Sequence, residues 1–226
     1  MTLNGIRPEI YAARMRSLRR WGRRFLLTAG LLMLAYVGFT LAQTRLYQAY
    51  ETQQFEAARQ TLRPPVNGGL HVPASGPVVT YANPGDAAGT GIAPAGGTPL
   101  GQIQIPSVGL AAIILQGDDA TTLRLGIGHI PGTALPGQSG NVALAGHRDT
   151  FFRALRLLHD GDAITLTTLS GTYLYRVASL RVVTPQDTGV LASSDASTLT
   201  LVTCFPFYFV GPAPKRFIVR AKRVHE

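Results

Sequence analysis

A single cysteine, Cys204, closes the run Leu199-Thr200-Leu201-Val202-Thr203-Cys204, and an arginine, Arg216, follows twelve residues later. A histidine, His147, stands well upstream in Leu144-Ala145-Gly146-His147-Arg148-Asp149. A thiol at a strand end, an imidazole to move protons and a permanent cation are the residue types of nucleophilic acyl transfer. In water a thiol and an imidazole ionise near 8.5 and 6.5, so only about 1% of such a pair is thiolate–imidazolium, at a cost of roughly 2.7 kcal/mol. A fixed cation lowers that cost. Arginine is always protonated and presents a fork of donors, suited to a thiolate or to the oxyanion that forms when a carbonyl is attacked. The expected chemistry is acyl transfer through a thioester, with Cys204 as nucleophile, His147 as acid and base, and Arg216 as stabiliser.

Each residue also has a purely structural reading. A free cysteine is among the most buried residue types. His147 alone could cap or decorate a surface, and Arg216 could be an ordinary strand arginine with Arg220 and Arg223 as alternatives. Against this, Phe205-Pro206-Phe207 breaks the strand just after Cys204, where a side chain becomes exposed. Neighbours on a strand point to opposite faces, so Lys215 and Arg216 cannot both face the cysteine, whereas Arg220 shares the Arg216 face. One cysteine excludes an internal disulfide, and no Cys/His cluster has metal-ligand spacing. Neither a metal nor another cofactor is expected.

Residues Phe25–Ala42 form an eighteen-residue run without a charge, long enough to cross a bilayer as a helix. Residues 1–24 carry seven arginines against Glu9, and basic residues on one flank hold that flank in the cytoplasm. The remainder is therefore expected outside the membrane. A signal peptide has a shorter apolar region, about 7–15 residues, so an uncleaved anchor is expected. Of the formal charge of +9, the first 24 residues supply +6. With no Lys/Arg run interleaved with aromatics, a nucleic-acid partner is excluded.

Residues 43–99 read as a polar juxtamembrane helix to about Arg63, then a linker. From Pro64 to Pro99, fifteen of 36 residues are Gly or Pro, a composition that cannot support a packed core. Such a chain spans about 30–36 Å. Residues 100–226 have the size of one domain. Strands are expected at Gln102–Ile105, Ala111–Leu115, Val142–Ala145, Ala163–Thr168, Thr172–Val183, Thr198–Thr203 and Phe217–Val224. A helix is expected at Thr150–Leu158 with Asp149 as its cap, and a second at Thr121–Gly126. Many short strands and few helices suggest a mainly β fold, a closed or nearly closed barrel.

Three segments carry a resemblance to the sortases, cysteine transpeptidases of bacterial surfaces. Leu199–Cys204 resembles the family's cysteine strand, Asn141-Val142-Ala143-Leu144-Ala145-Gly146-His147-Arg148 its histidine motif, and Pro214-Lys215-Arg216-Phe217-Ile218-Val219 its last strand. Further similarity runs through Ile103–Pro106, Gly128–Thr133 and Gly161-Asp162, so residues 100–224 are covered. The stretch Gly146–Phe152 and the proline after Phe205 are most similar to classes D and E. The resemblance implies an eight-stranded barrel and assigns the roles of Cys204, His147 and Arg216 as above. It implies cleavage of a C-terminal LPxTG-like sorting signal on a secreted protein and transfer to an amine of a peptidoglycan precursor or a protein lysine. The loop Thr184–Ser197 corresponds to the family's specificity loop, where Val190 and Leu191 offer apolar contacts, with Thr203 a further substrate-contact candidate. His129 is read as structural. With the domain's aspartates scattered and no glutamate before Glu226, no calcium requirement is expected. Two rival readings remain open at this level: a thiol hydrolase that passes the acyl group to water, and a membrane-tethered barrel whose cysteine is inert.

Overall fold

The computed structural model describes residues 8–62, 94–209 and 211–224. The chain divides into two compact units, one ending at Leu46 and the other beginning at Tyr47. A single helix, α1 (Pro8–Leu62), runs through the first unit and into the second. It is long and apolar enough to cross a membrane, with mean hydropathy 2.0 over its most apolar window. The linker expected at 64–99 lies outside the described residues as far as residue 93.

In the second unit, eight strands follow: β1 (Pro99–Ile105), β2 (Leu110–Gln116), β3 (Ile127–His129), β4 (Asn141–Ala145), β5 (Ala163–Thr168), β6 (Gly171–Val183), β7 (Thr198–Phe205) and β8 (Lys215–Arg223). They close a barrel in the order β1-β2-β3-β4-β7-β8-β6-β5, with β5 pairing back onto β1. The expected barrel is thus present, and full closure leaves no unpaired sheet edge. Two neighbouring pairs, β2–β3 and β4–β7, are parallel, and the others are antiparallel.

The interior follows strict alternation. Ile103 and Ile105, Val142 and Leu144, Ile164 and Leu166, Leu199 and Leu201, and Val219 and Ala221 all face the core. Fully burying one such aliphatic side chain contributes about 1.5–3 kcal/mol. Residues of the opposite parity on β4, β7 and β8, among them Cys204 and Arg216, therefore face outward.

A second apolar cluster lies outside the barrel. Phe55 of α1 is buried with Ile113 and Leu115 of β2, flanked by Tyr47, Ala58, Leu125 and Leu169. The Gln48 side chain ties the helix down: its Oε1 accepts from Ile113 N at 3.0 Å and its Nε2 donates to Leu125 O. The last turns of α1 are thus part of the folded unit.

Helical expectations fared differently. The segment expected at Thr121–Gly126 is α2 (Ala120–Leu125), and Asp119 caps it by accepting from the N–H groups of Thr121 and Thr122. The helix expected at Thr150–Leu158 is instead a 3₁₀ helix, Phe151–Leu157, and the residue at its N-cap is Thr150, without a side-chain cap. Asp149 does not cap it. The buried Phe152, Leu155 and Leu158 recur every three residues, which matches the three-residue turn of a 3₁₀ helix better than 3.6. Strand β3, three residues long, had no expectation attached.

Candidate active site

The thiol, the imidazole and the guanidinium come from three strand ends at one end of the barrel. On the antiparallel pair β7–β8, Cys204 is directly opposite Arg216. Such partners share one sheet face, with Cβ atoms about 4.5–5.5 Å apart. Arg220 is opposite Thr200, and Lys215 is opposite Phe205, off the face that carries Cys204. The register thus selects Arg216 as the cation beside the thiol, and Cys204 is half-buried.

His147 arrives on the other side of β7. Strands β4 and β7 run in parallel with Ala145 beside Val202, so both end at the same rim. The pairing continues past the strand: Gly146 N donates to Val202 O at 3.2 Å, and Thr203 Oγ1 donates to Gly146 O at 2.7 Å. The half-buried His147 follows directly after this contact, and Cys204 directly after Thr203. Gly146 is required here, because a Cβ at that position would sit 2.8 Å from the Phe152 ring packed beneath it. His147 O accepts from Phe152 N at 3.0 Å, which fixes the turn.

Thr203 is 2% exposed and faces inward, its hydroxyl spent on Gly146 O. It joins the cysteine strand to the histidine turn. Val190 and Leu191 fall in a 3₁₀ helix, Thr188–Leu191, where Val190 is 7% exposed and Leu191 half-buried. Arg216 Nη1 donates to Ala213 O at 3.2 Å and Lys215 O at 3.0 Å, leaving Nη2 and Nε to serve a ligand.

Sequence reading missed the roles of two residues, Asn141 at the start of β4 and Arg148 beyond its end. Asn141, 2% exposed, spends its whole amide: Nδ2 donates to Val190 O and Ala192 O, both at 3.1 Å, while Oδ1 accepts from Thr198 at 3.2 Å and Thr200 at 2.7 Å. It locks the loop before β7 onto β7 itself. The signal available was an amide opening an otherwise apolar strand. Arg148 donates through Nη1 to Pro206 O at 3.1 Å and through Nη2 to Gly211 O at 2.9 Å, with its guanidinium 5.9 Å from the Phe209 ring centroid. It ties the histidine turn to the loop between Cys204 and Arg216. Below that loop Phe205, Phe207 and Phe217 pack with ring centroids 5.3–6.3 Å apart and plug the barrel end.

A second histidine, His129 of β3, is 1% exposed. Its Nδ1 lies 2.9 Å from Gln116 Oε1 and its Nε2 2.9 Å from Ala134 O. Burial holds its pKa below the ordinary imidazole range, outweighing the raising effect of its backbone bonds and of Asp118. Both ring nitrogens are occupied in the barrel wall, which agrees with a structural role.

Comparisons with known proteins agree with this geometry. A Sortase domain family model matches residues 103–224. Sortase D of Bacillus subtilis (strain 168) is 32% identical over 201 residues, covering 88% of this chain and 96% of that protein. Among solved structures, a Sortase D5 transpeptidase of Clostridium perfringens superposes with a TM-score of 0.59 at 27% identity, covering 78% of this chain and 99% of that one. A Clostridium perfringens sortase C solved with the C-terminal cell wall sorting motif gives 0.54 at 32%, covering 58% and 74%. With a family model spanning more than half its length and a relative matched almost end to end, the chain belongs to the sortase family of cysteine transpeptidases.

Proposed function

We propose that the protein is a membrane-anchored, extracytoplasmic sortase that cleaves a C-terminal LPxTG-like signal and joins the acyl segment to an amine, attaching proteins to the cell surface. The observation that carries the reading is the direct pairing of Cys204 with Arg216, beside the parallel strand end that leads to His147. The arginine-rich residues 1–24 support a cytoplasmic N-terminus, with the barrel on the far side.

In this mechanism Cys204 Sγ attacks the threonine carbonyl of the motif, and a free Arg216 donor stabilises the oxyanion. The C–N bond breaks, the leaving amine takes a proton from His147, and a thioester remains on Cys204. An acceptor amine, from a peptidoglycan precursor or a protein lysine, then attacks the thioester carbonyl. It returns its proton to His147 and releases Cys204 as thiolate. Thr203 acts by holding the histidine turn against the cysteine strand, and Val190 and Leu191 form the apolar side toward the leucine.

The test is a motif peptide incubated with and without a saturating amine. The product switches from hydrolysed peptide to amide conjugate; persistence of the hydrolysed acid alone would make the protein a thiol hydrolase. In the same assay Arg216→Ala lowers kcat about 10²–10³-fold, the usual cost of one oxyanion donor. Arg216→Lys does not restore it, because an ammonium on a flexible stem lacks the planar fork. Unchanged kcat in Arg216→Ala would remove this residue from the site.

A further inference from the structure

Among the described residues, two buried side-chain polar atoms lack a hydrogen-bond partner: Tyr175 Oη, within the barrel core, and Arg220 Nε. Tyr175 belongs to the packed interior. Arg220 is different, because it lies on the outer face that carries Cys204. Its neighbours across the sheet are Thr200 of β7 and Ser179 of β6. Between this row and the Cys204–Arg216 row lies a single row, Val202, Ile218 and Arg181.

Cations therefore line this face. Arg216, Arg181, Arg220 and Lys222 share it, and among the described residues none of them has an ion pair. Asp187 and Asp195, on the loop that precedes β7, are exposed and, among the described residues, form no ion pair with the stripe. An orphaned buried donor costs about 1–3 kcal/mol, and a guanidinium fork is shaped for a carboxylate. The stripe supplies a field that favours the same ligand.

We propose that Arg220 is a specificity-determining residue that binds an acidic side chain of the substrate just upstream of the sorting motif. The proposal rests on the transpeptidase reading, which puts the acylated threonine at Cys204. Thr200 lies four residues back along β7, a rise of about 13 Å. An extended peptide covers that distance in about four residues. Counting back from the threonine of an LPxT-like motif, the fifth residue, immediately before the leucine, lies over Arg220. At that end Asn141 holds the loop before β7 in place, donating to Val190 O and Ala192 O and accepting from Thr198 and Thr200.

The test uses the full-length chain in detergent micelles and three peptides that differ only at that fifth residue: Glu, Gln or Lys. Expected values of kcat/KM fall about tenfold from Glu to Gln and again from Gln to Lys, mainly through KM. The Glu advantage shrinks as salt is raised, as partly exposed charges require. Arg220→Gln collapses the gap between Glu and Gln, and Arg220→Glu turns the preference toward Lys. Equal kcat/KM for Glu and Gln with the unaltered protein, a comparison that needs no variant, overturns the proposal. So does an undiminished gap in Arg220→Gln. If the unaltered protein forms no acyl-enzyme with any of the three peptides, the transpeptidase reading itself fails and this proposal falls with it.

Discussion

Cys204→Ala forms no acyl-enzyme with a threonine-containing motif peptide, and turnover drops by at least about 10⁴-fold, since covalent catalysis has lost its nucleophile. Cys204→Ser does little better, because a hydroxyl beside Arg216 gains far less from a cation than a thiol, whose thiolate is within easy reach. The loss is chemical rather than structural. Cys204 is half-buried, faces away from the core, and has Thr203 behind it to hold the histidine turn, so Cys204→Ala keeps its cooperative unfolding transition. Steady-state kinetics with a quenched peptide, beside a thermal melt, separates the two effects. Normal turnover by Cys204→Ala would exclude the thioester route and favour an inert thiol on a binding barrel.

His147→Ala lowers kcat by about 10²–10⁴-fold, the range for removing a general acid–base. In the proposed cycle one imidazole protonates the leaving amine and later accepts the proton of the incoming amine. Both half-reactions therefore slow, and a saturating acceptor does not rescue the variant. Pre-steady-state measurement of acylation and deacylation tests this directly. His129 cannot substitute, because both its ring nitrogens are engaged in the barrel wall. A His147→Ala enzyme with full activity would transfer the acid–base role to another group.

The site was legible because a strand writes its faces into its sequence. On β7 the structure turns Leu199 and Leu201 inward, and Cys204 has the other parity. The same rule on β8 separated Lys215 from Arg216, and the register confirms that separation. What alternation cannot state is which strands are neighbours. That β4 and β7 lie side by side in parallel, so that the turn carrying His147 and the strand end carrying Cys204 share one rim, is a property of the closed barrel.

Other features escaped for physical reasons. Three residues of β3 are too few to show a period. The turn after His147 carries apolar residues at a spacing that two helix types share, and burial of Phe152, Leu155 and Leu158 decides for the tighter one. Phe55 and Ala58 stand at helix-compatible spacing in the polar stretch before Arg63, but nothing in the chain said that Phe55 meets Ile113 and Leu115 more than 50 residues away. Asn141 and Arg148 act through backbone carbonyls of distant loops, Val190 and Ala192 for one, Pro206 and Gly211 for the other. Backbone acceptors are the same at every residue, so sequence carries no trace of them.

The central claim is that Cys204 carries the acyl group. Intact-mass measurement of the unaltered full-length protein mixed with an LPxTG-type peptide, followed by peptide mapping, tests it most directly. The result expected is an added mass equal to the peptide segment ending at threonine, located on Cys204, labile to hydroxylamine and discharged by an amine acceptor. Cleavage of the peptide with no adduct at Cys204, or an adduct on any other residue, would contradict it.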